Sequence, residues 1–292
     1  GNSLSFPLST GATVILCAER PTPPVIADVL SRQRPTIFCA VPAVYRALLE
    51  YQRQGQTLVT DSLRFCVSAG EKLPAALWHE WHAATALNIL DGIGSTEMLH
   101  MFITNTQEGI VPGSSGRVLP GYEARLLAQA GNDIAGAGTG DLLIKGGSAF
   151  AGYWRDTEKT AATIQADWVR TGDIYRRDEA GDYWFEGRSD DLFKVKGLWV
   201  SPVEIEEVLL ACPAVAEAAV VPGTDADGMT TVTAYVVLKG GHATDAAVAE
   251  HLHAQVGAQL PAYKCPAQID FVKALPRTAT GKLQRYKLRA GA

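Results

Sequence analysis

The stretch Thr36-Ile37-Phe38-Cys39-Ala40-Val41-Pro42-Ala43-Val44-Tyr45-Arg46-Ala47-Leu48-Leu49-Glu50-Tyr51 reads as a strand followed at once by a helix. Residues 36–40 are a short β-branched and aromatic run, and residues 42–51 have helical character. The same alternation extends on both sides. Residues 12–17 read as strand and 24–33 as helix ahead of it; residues 63–68 read as strand and 75–84 as helix behind it. Alternation of this kind predicts an α/β fold with a parallel or mixed sheet covered by helices. Ligands of such sheets bind beyond the carboxyl ends of the strands.

From about Gly113 the texture changes to short strands punctuated by glycine, at residues 122–128, 140–145, 168–171 and 182–186, which predicts a small β-rich subdomain. A second change follows Gly187-Arg188-Ser189-Asp190-Asp191. Beyond it the sequence predicts a hairpin over 193–200, a helix capped by Ser201 with Pro202 in its first turn, strands at 218–221 and 231–238, and a helix over about 245–259. That is a compact α+β domain of roughly 100 residues. The expected division is therefore 1–189 and 190–292.

With 292 residues, 47% apolar and 20% charged, the chain has the profile of a globular protein and not of a disordered or fibrous one. A net charge of -5, from 26 basic and 31 acidic residues, argues against a surface built to coat nucleic acid or an anionic membrane. No window approaches the 18 or so apolar residues of a membrane span. Five cysteines, odd in number, widely spaced and never in a C-x-x-C pair, read as reduced thiols in a cytoplasmic setting. The chain opens Gly1-Asn2-Ser3, without Met or a signal-like segment, and runs into a strand-like stretch; it reads as a fragment whose start is missing. Seven basic residues against the single acid Asp270 between Lys264 and Ala292 form a basic tail, suited to an anionic ligand or to a solvated end.

Several short motifs can carry chemistry, and each has a plainer reading. Gly92-Ile93-Gly94-Ser95-Thr96-Glu97 follows an apolar run and joins two flexible glycines to a hydroxyl for a phosphoryl oxygen and a carboxylate for Mg2+. It would also serve as a strand-to-helix turn capped by Thr96. Arg170-Thr171-Gly172-Asp173 places a carboxylate at a tight turn, suited to the two hydroxyls of a ribose or simply to an Asx turn. Arg188 offers a guanidinium to phosphate or ribose oxygens, or an ion pair within a linker. Pro276-Arg277-Thr278-Ala279-Thr280-Gly281-Lys282 projects one lysine from a loop, which can stabilise growing negative charge or lie on the surface. His79 and His82 stand three apart, one short of a zinc-binding H-E-x-x-H helix.

The order and spacing of these pieces together resemble the adenylate-forming (acyl-CoA synthetase, AMP-binding) family. The matches run through Ser68-Ala69-Gly70-Glu71, Gly94-Ser95-Thr96-Glu97, Gly140-Asp141-Leu142-Leu143-Ile144-Lys145-Gly146, Gly152-Tyr153-Trp154, Thr171-Gly172-Asp173, Gly187-Arg188-Ser189-Asp190-Asp191, Lys196-Gly197 and Gly281-Lys282. Residues 91–100 and the opening Gly1-Asn2-Ser3-Leu4-Ser5-Phe6-Pro7-Leu8 look like the benzoate-CoA ligase group. Most relatives carry an aromatic residue where this chain has Ile93, so the resemblance implies apolar contact with adenine there. The family's phosphate loop lies upstream of the region where this chain begins, and nothing here replaces it. The resemblance thus implies that residues 1–189 are the later part of a large adenylating domain, and that this chain alone is impaired or inactive.

It further implies a reaction with ATP, Mg2+ and coenzyme A in which an aromatic acid such as benzoate becomes an acyl-adenylate and then a thioester. Thr96 would contact phosphate and Glu97 would hold Mg2+. Gly70, Glu71, Lys72 and Asp91, with Gly92 and Ile93, would line the adenine side. Asp173 would take the ribose hydroxyls and Arg188 the ribose or phosphate edge. Lys282 would bind the incoming carboxylate and the ribose-phosphate oxygens. Gly92, Gly94 and His100 would border the aryl ring, although His100 also reads as a histidine on a helix flank. Asp190 would be the hinge, and Lys196-Gly197 would meet the pantetheine arm. Loading of a carrier protein, and an inert nucleotide-binding module, are the alternatives.

Overall fold

The computed structural model describes residues 4–128, 130–240, 246–278 and 283–289. They fall into two compact units, Gly1–Thr171 with Tyr175–Phe185, and Gly172–Ile174 with Glu186–Ala292.

The first unit opens with α1 (Ser5–Thr10), α2 (Pro23–Gln33), β1 (Ile37–Ala40), α3 (Pro42–Arg53), β2 (Phe65–Ser68), α4 (Ala75–Thr85), β3 (Ile89–Gly94), β4 (Met101–Thr104) and β5 (Arg117–Val118). The five strands form one sheet in the order β1-β2-β3-β4-β5. β1, β2 and β3 run parallel, and β4 and β5 are antiparallel to their neighbours, so the sheet is mixed, as the alternation predicts. Proline at the first turn of α2 and of α3 sets the helical φ where no backbone N–H is needed. Tyr45 locks α3 onto the sheet. Its ring is buried edge-to-face against Trp81, 4.9 Å away, and its hydroxyl donates to the carbonyls of Phe38 (3.2 Å) and Val67 (2.8 Å).

The β-rich part contains β6 (Tyr122–Leu127), β7 (Gly138–Gly146), α5 (Thr157–Thr163), β8 (Ile164–Gln165), β9 (Trp168–Arg177) and β10 (Tyr183–Arg188). Its sheet has the order β10-β9-β7-β6, with β8 paired to β9. The second unit has the hairpin β11 (Phe193–Val195) and β12 (Leu198–Val200), then α6 (Pro202–Leu210), β13 (Val215–Thr224), β14 (Thr230–Leu238), α7 (Ala246–Gln259), β15 (Gln268–Phe271) and α8 (Arg285–Arg289). Its three-stranded sheet β13-β14-β15 packs with α6 and α7 over a single apolar core that includes Ile205, Leu209, Val220, Val236 and Leu252.

Five local expectations are corrected. Residues 4–10 hold a helix where a strand-like start was expected, closed by Gly11 in the left-handed region at φ 70°. Residues 12–17 form no strand, because no strand among the described residues pairs with them. Residues 95–100 turn back into β4 instead of opening a helix, so Thr96 caps nothing and His100 flanks no helix. Asp173 lies within the continuous strand β9, not at a tight turn. Ser201 occupies the N-cap position of α6, but its hydroxyl donates to the Glu186 carbonyl instead of capping. Helix α5 is an addition to the expected elements, and Asp156 accepts from the Lys159 amide (2.9 Å) as its N-cap.

Candidate active site

Parallel pairing brings two sequence-distant groups of candidate residues together in the first unit. Ser68, the last residue of β2, lies opposite Asp91 in β3. The loop carrying Gly70, Glu71 and Lys72 leaves β2 just beyond that point, with Gly70 at φ 93°. Lys72 reaches the Phe185 carbonyl through Nζ (3.2 Å). β3 continues through Gly92 and Ile93 to Gly94, and Thr96, Glu97 and His100 follow in the turn. All of these residues sit at the carboxyl end of the parallel strands, where ligands bind in such sheets.

The two glycines have a steric reason that sequence alone does not supply. A Cβ at Gly92 would lie 2.6 Å from the Ile103 carbonyl oxygen, and one at Gly94 would lie 2.4 Å from the His100 carbonyl oxygen. β4 therefore fills the space a side chain would take, and any surface these positions offer a ligand is backbone. His100 is half-buried edge-to-face against Phe6, with centroids 4.5 Å apart, and burial lowers its pKa. Ile93 packs half-buried against the core beneath the β-rich sheet.

Glu97 is the most fully furnished candidate. Tyr153 donates its phenol to Oε1 at 2.6 Å, and the Phe150 amide donates to the Glu97 carbonyl at 2.8 Å. Lys159 lies 4.1 Å from the centre of the Tyr153 ring. Burial works to raise the carboxyl pKa, yet the Tyr153 phenol, with backbone, Ser95 and Lys159, outweighs it and holds the group below its ordinary value. An ionised carboxylate is the hard oxygen donor that Mg2+ takes, commonly one or two of them beside phosphates and water, so Glu97 fits that ion. Among the described residues no cluster of three potential metal-ligating side chains exists. In the sequence Tyr153 stands only within the Gly152-Tyr153-Trp154 motif; its role as orienter of Glu97 depends on a fold that brings residues 56 apart into contact.

Asp91 behaves oppositely. It is 5% exposed, and its Oδ1 and the Ser68 hydroxyl have no hydrogen-bond partner among the described residues. Burial pushes its pKa up to about 8, against the smaller opposing pull of the Ser68 hydroxyl, the Gly92 and Leu73 amides and Lys72. It is therefore largely a neutral acid at pH 7. Asn105, missed in the sequence, underpins the same place: its buried amide donates to the carbonyls of Asp91 (3.3 Å) and Ser114 (2.8 Å).

In the second unit Arg188 and Asp173 meet directly, Nη1 to Oδ1 at 2.9 Å, and Arg188 also lies 3.7 Å from Asp190. Gly172, at φ 72°, makes room, since a Cβ there would stand 2.9 Å from Arg188 Nη2. Lys196 (φ 51°) and Gly197 (φ 80°) form the β11–β12 turn, flanked by the exposed Leu198 and Trp199, with Lys194 4.7 Å from the centre of the Trp199 ring. Gly281 and Lys282 lie outside the described residues. Their described flanks are tied together, because Arg277 bridges to Leu283 and the Gln284 amide donates to the Pro276 carbonyl at 2.8 Å.

A βα sheet with an acid-bearing turn at its strand ends, followed in the chain by a small α+β unit, is the arrangement of the family that the chain matches. The chain belongs to the AMP-binding enzyme family, whose model matches residues 2–154, with the AMP-binding enzyme C-terminal domain matching residues 204–282. It is 46% identical over 294 residues to a benzoate–CoA ligase of Thauera aromatica, covering 99% of this chain and 55% of the relative. Its structure superposes on that of a benzoate CoA ligase from Burkholderia xenovorans LB400 with a TM-score of 0.92 and 46% identity, covering 99% of this chain and 58% of the other. An anthranilate CoA ligase, AuaEII, solved with anthranoyl-AMP, gives a TM-score of 0.93 at 41% identity, covering 100% and 57%. The chain thus spans about half the length of the curated relatives it matches. No helix among the described residues is long and apolar enough to cross a membrane.

Proposed function

We propose that this chain serves an ATP-dependent ligase that activates an aromatic carboxylic acid, benzoate, and passes it to coenzyme A. The observation that best supports this is the convergence of Gly70–Lys72, Asp91 and the Thr96–Glu97 turn at the strand ends, in a chain 46% identical to a benzoate–CoA ligase. In the first step a carboxylate oxygen bonds to the α-phosphorus of ATP as the bond to pyrophosphate breaks. In the second the thiol attacks the acyl carbon and AMP leaves. Bound Mg2+ would neutralise phosphate charge. Glu97, kept ionised and aimed by Tyr153, would hold that ion, and the Thr96 hydroxyl would contact phosphate. Gly70, Glu71, Lys72, Asp91, Gly92 and Ile93 line the adenine side, and His100 borders the aryl ring with backbone at Gly92 and Gly94.

Asp173 accepts from the ribose hydroxyls and is held for this by Arg188. Lys282 supplies positive charge to the carboxylate and phosphate oxygens, Asp190 is the pivot between residues 1–189 and 190–292, and the Lys196-Gly197 turn receives the thiol carrier.

Calorimetry with AMP and with a non-hydrolysable benzoyl-adenylate mimic tests the reading on this chain directly. The mimic should bind more tightly than AMP, Asp173→Ala should weaken both at least about tenfold through loss of charge-assisted hydrogen bonds, and Lys282→Ala should weaken the mimic. Absence of binding by either nucleotide would leave an inert module and overturn the proposal. Where turnover is followed, free benzoyl-CoA as product separates coenzyme A from a carrier protein as acceptor.

A further inference from the structure

Strand β10 is an edge of its sheet, and an edge presents backbone groups that need partners. Along a strand the groups that face one edge recur at every second residue. On the outer edge of β10 the Tyr183 amide donates to the Gly116 carbonyl and the Tyr183 carbonyl accepts from the Ser115 amide, both at 2.8 Å. The next carbonyl on that edge belongs to Phe185. It is met by a side chain, Lys72 Nζ at 3.2 Å, from 113 residues away in the sequence.

That bond closes a circuit around the proposed adenine side. Ser114, next to the two residues on the edge, accepts at its carbonyl from the buried Asn105 amide at 2.8 Å, and the same amide donates to the Asp91 carbonyl at 3.3 Å. Asp91 stands opposite Ser68, from which the chain runs through the Gly70–Lys72 loop to Leu73. Leu73 is buried in the apolar core with Leu77 and Trp81, and its amide faces the Asp91 carboxyl. The loop is therefore fixed at its base by Leu73 and at β10 by Lys72, with the exposed Gly70 at φ 93° between the strand and the tie. Residue 113 packs into the same frame, since a Cβ on Gly113 would lie 3.3 Å from the Ala75 Cβ and 3.5 Å from the Trp184 ring. A lysine stem is flexible and its charge prefers water, so a half-buried Nζ seated on a main-chain carbonyl restrains the loop that bears it.

We propose that Lys72 is a positioning residue: its bond to the Phe185 carbonyl holds the Gly70–Lys72 loop in shape, and it acts on the nucleotide through that loop without touching it. The inference rests on the proposed function and refines it, moving Lys72 from the surface of the adenine side to the frame behind it.

The experiment compares adenosine with AMP on the full chain, because the two differ only in the phosphate. Dissociation constants from NMR titration are measured for the parent, Lys72→Met and Lys72→Arg, together with amide exchange at residues 70–73 and urea midpoints. Lys72→Met should weaken adenosine and AMP by the same factor, at least about fivefold, as expected for one lost charge-assisted hydrogen bond. Exchange at the Leu73 amide should quicken at least about fivefold alongside it. Lys72→Arg, which can still donate to a carbonyl, should return affinity and exchange to within about twofold of the parent. A residue that served only stability would lower the urea midpoint and leave the affinity of the folded chain unchanged, and that outcome overturns the proposal. So does a loss confined to AMP, which puts Lys72 on the phosphate, or a loss of both ligands with Leu73 exchange unchanged, which puts it on the base. Failure of Lys72→Arg to restore binding overturns it as well. A parent that binds neither ligand overturns the proposed function, and there the Leu73 exchange rate alone judges the tie.

Discussion

Arg285→Ala is expected to destabilise the second unit by about 3–5 kcal/mol, the usual consequence of stranding a buried charge. Arg285 lies on α8 and donates to both carboxylate oxygens of Glu206, from Nη2 at 2.8 and 2.7 Å, and to Asp191 from Nη1 at 3.3 Å. Glu206 is buried on α6 and also accepts from the Val220 amide of β13 at 2.8 Å. One carboxylate thus joins α6, β13 and α8, and Arg289 extends the network to Asp191 at 2.6 Å. Without the guanidinium Glu206 keeps one amide and loses its counter-charge.

Arg285→Lys should recover only part of the loss, because an ammonium cannot make the bidentate contact. The double variant Glu206→Met/Arg285→Met should recover most of it, because paired apolar replacement removes the desolvation cost along with the attraction. Urea denaturation followed by circular dichroism and by hydrogen exchange across residues 200–240 gives the comparison. An Arg285→Ala midpoint within error of the parent would show that the network is solvated and contributes nothing.

The legibility of this protein follows the range of the interactions involved. The repeating strand–helix units were readable because Pro23, Pro42 and Pro202 mark helix starts locally and residues 37–40 and 65–67 are apolar throughout. The failures came where a partner decides. Residues 12–17 have strand composition but no partner strand among the described residues, and residues 95–100 resemble a helix start until β4 is seen pressed against Gly92 and Gly94. The family motifs supplied the candidate residues, yet not what holds them. That Tyr153 aims Glu97, that Asn105 supports Asp91 and that Arg188 meets Asp173 are long-range facts of packing. The opposed charge states of Asp91 and Glu97 were equally out of reach, since two acids six residues apart differ only in burial and in the donors around them.

Asp91 carries the other large expected effect, a pH dependence of stability in the first unit. Its folded pKa of about 8 stands above the unfolded value near 3.9, so between those values the folded state binds more protons than the unfolded one. Stability contributed by the neutral acid is therefore fully present below about pH 4 and is lost as pH rises through 8. The limiting slope is about 1.4 kcal/mol per pH unit for one proton. Asp91→Asn, nearly isosteric and permanently neutral, should flatten this dependence. Parent and variant should differ least at pH 4, and the variant should be the more stable by several kcal/mol at pH 9, well beyond the shift that an exposed aspartate would give. Tryptophan fluorescence suits the measurement, because Trp78, Trp81, Trp154, Trp168 and Trp184 lie in the first unit and Trp199 alone in the second. The difference in slope is the decisive quantity, since an amide placed beside the unpartnered Ser68 hydroxyl can change absolute stability for reasons unconnected with titration. Parallel curves for the two proteins from pH 5 to 9 would mean that Asp91 is ionised throughout, and that an anionic, not a neutral, acid faces the adenine side of the proposed site.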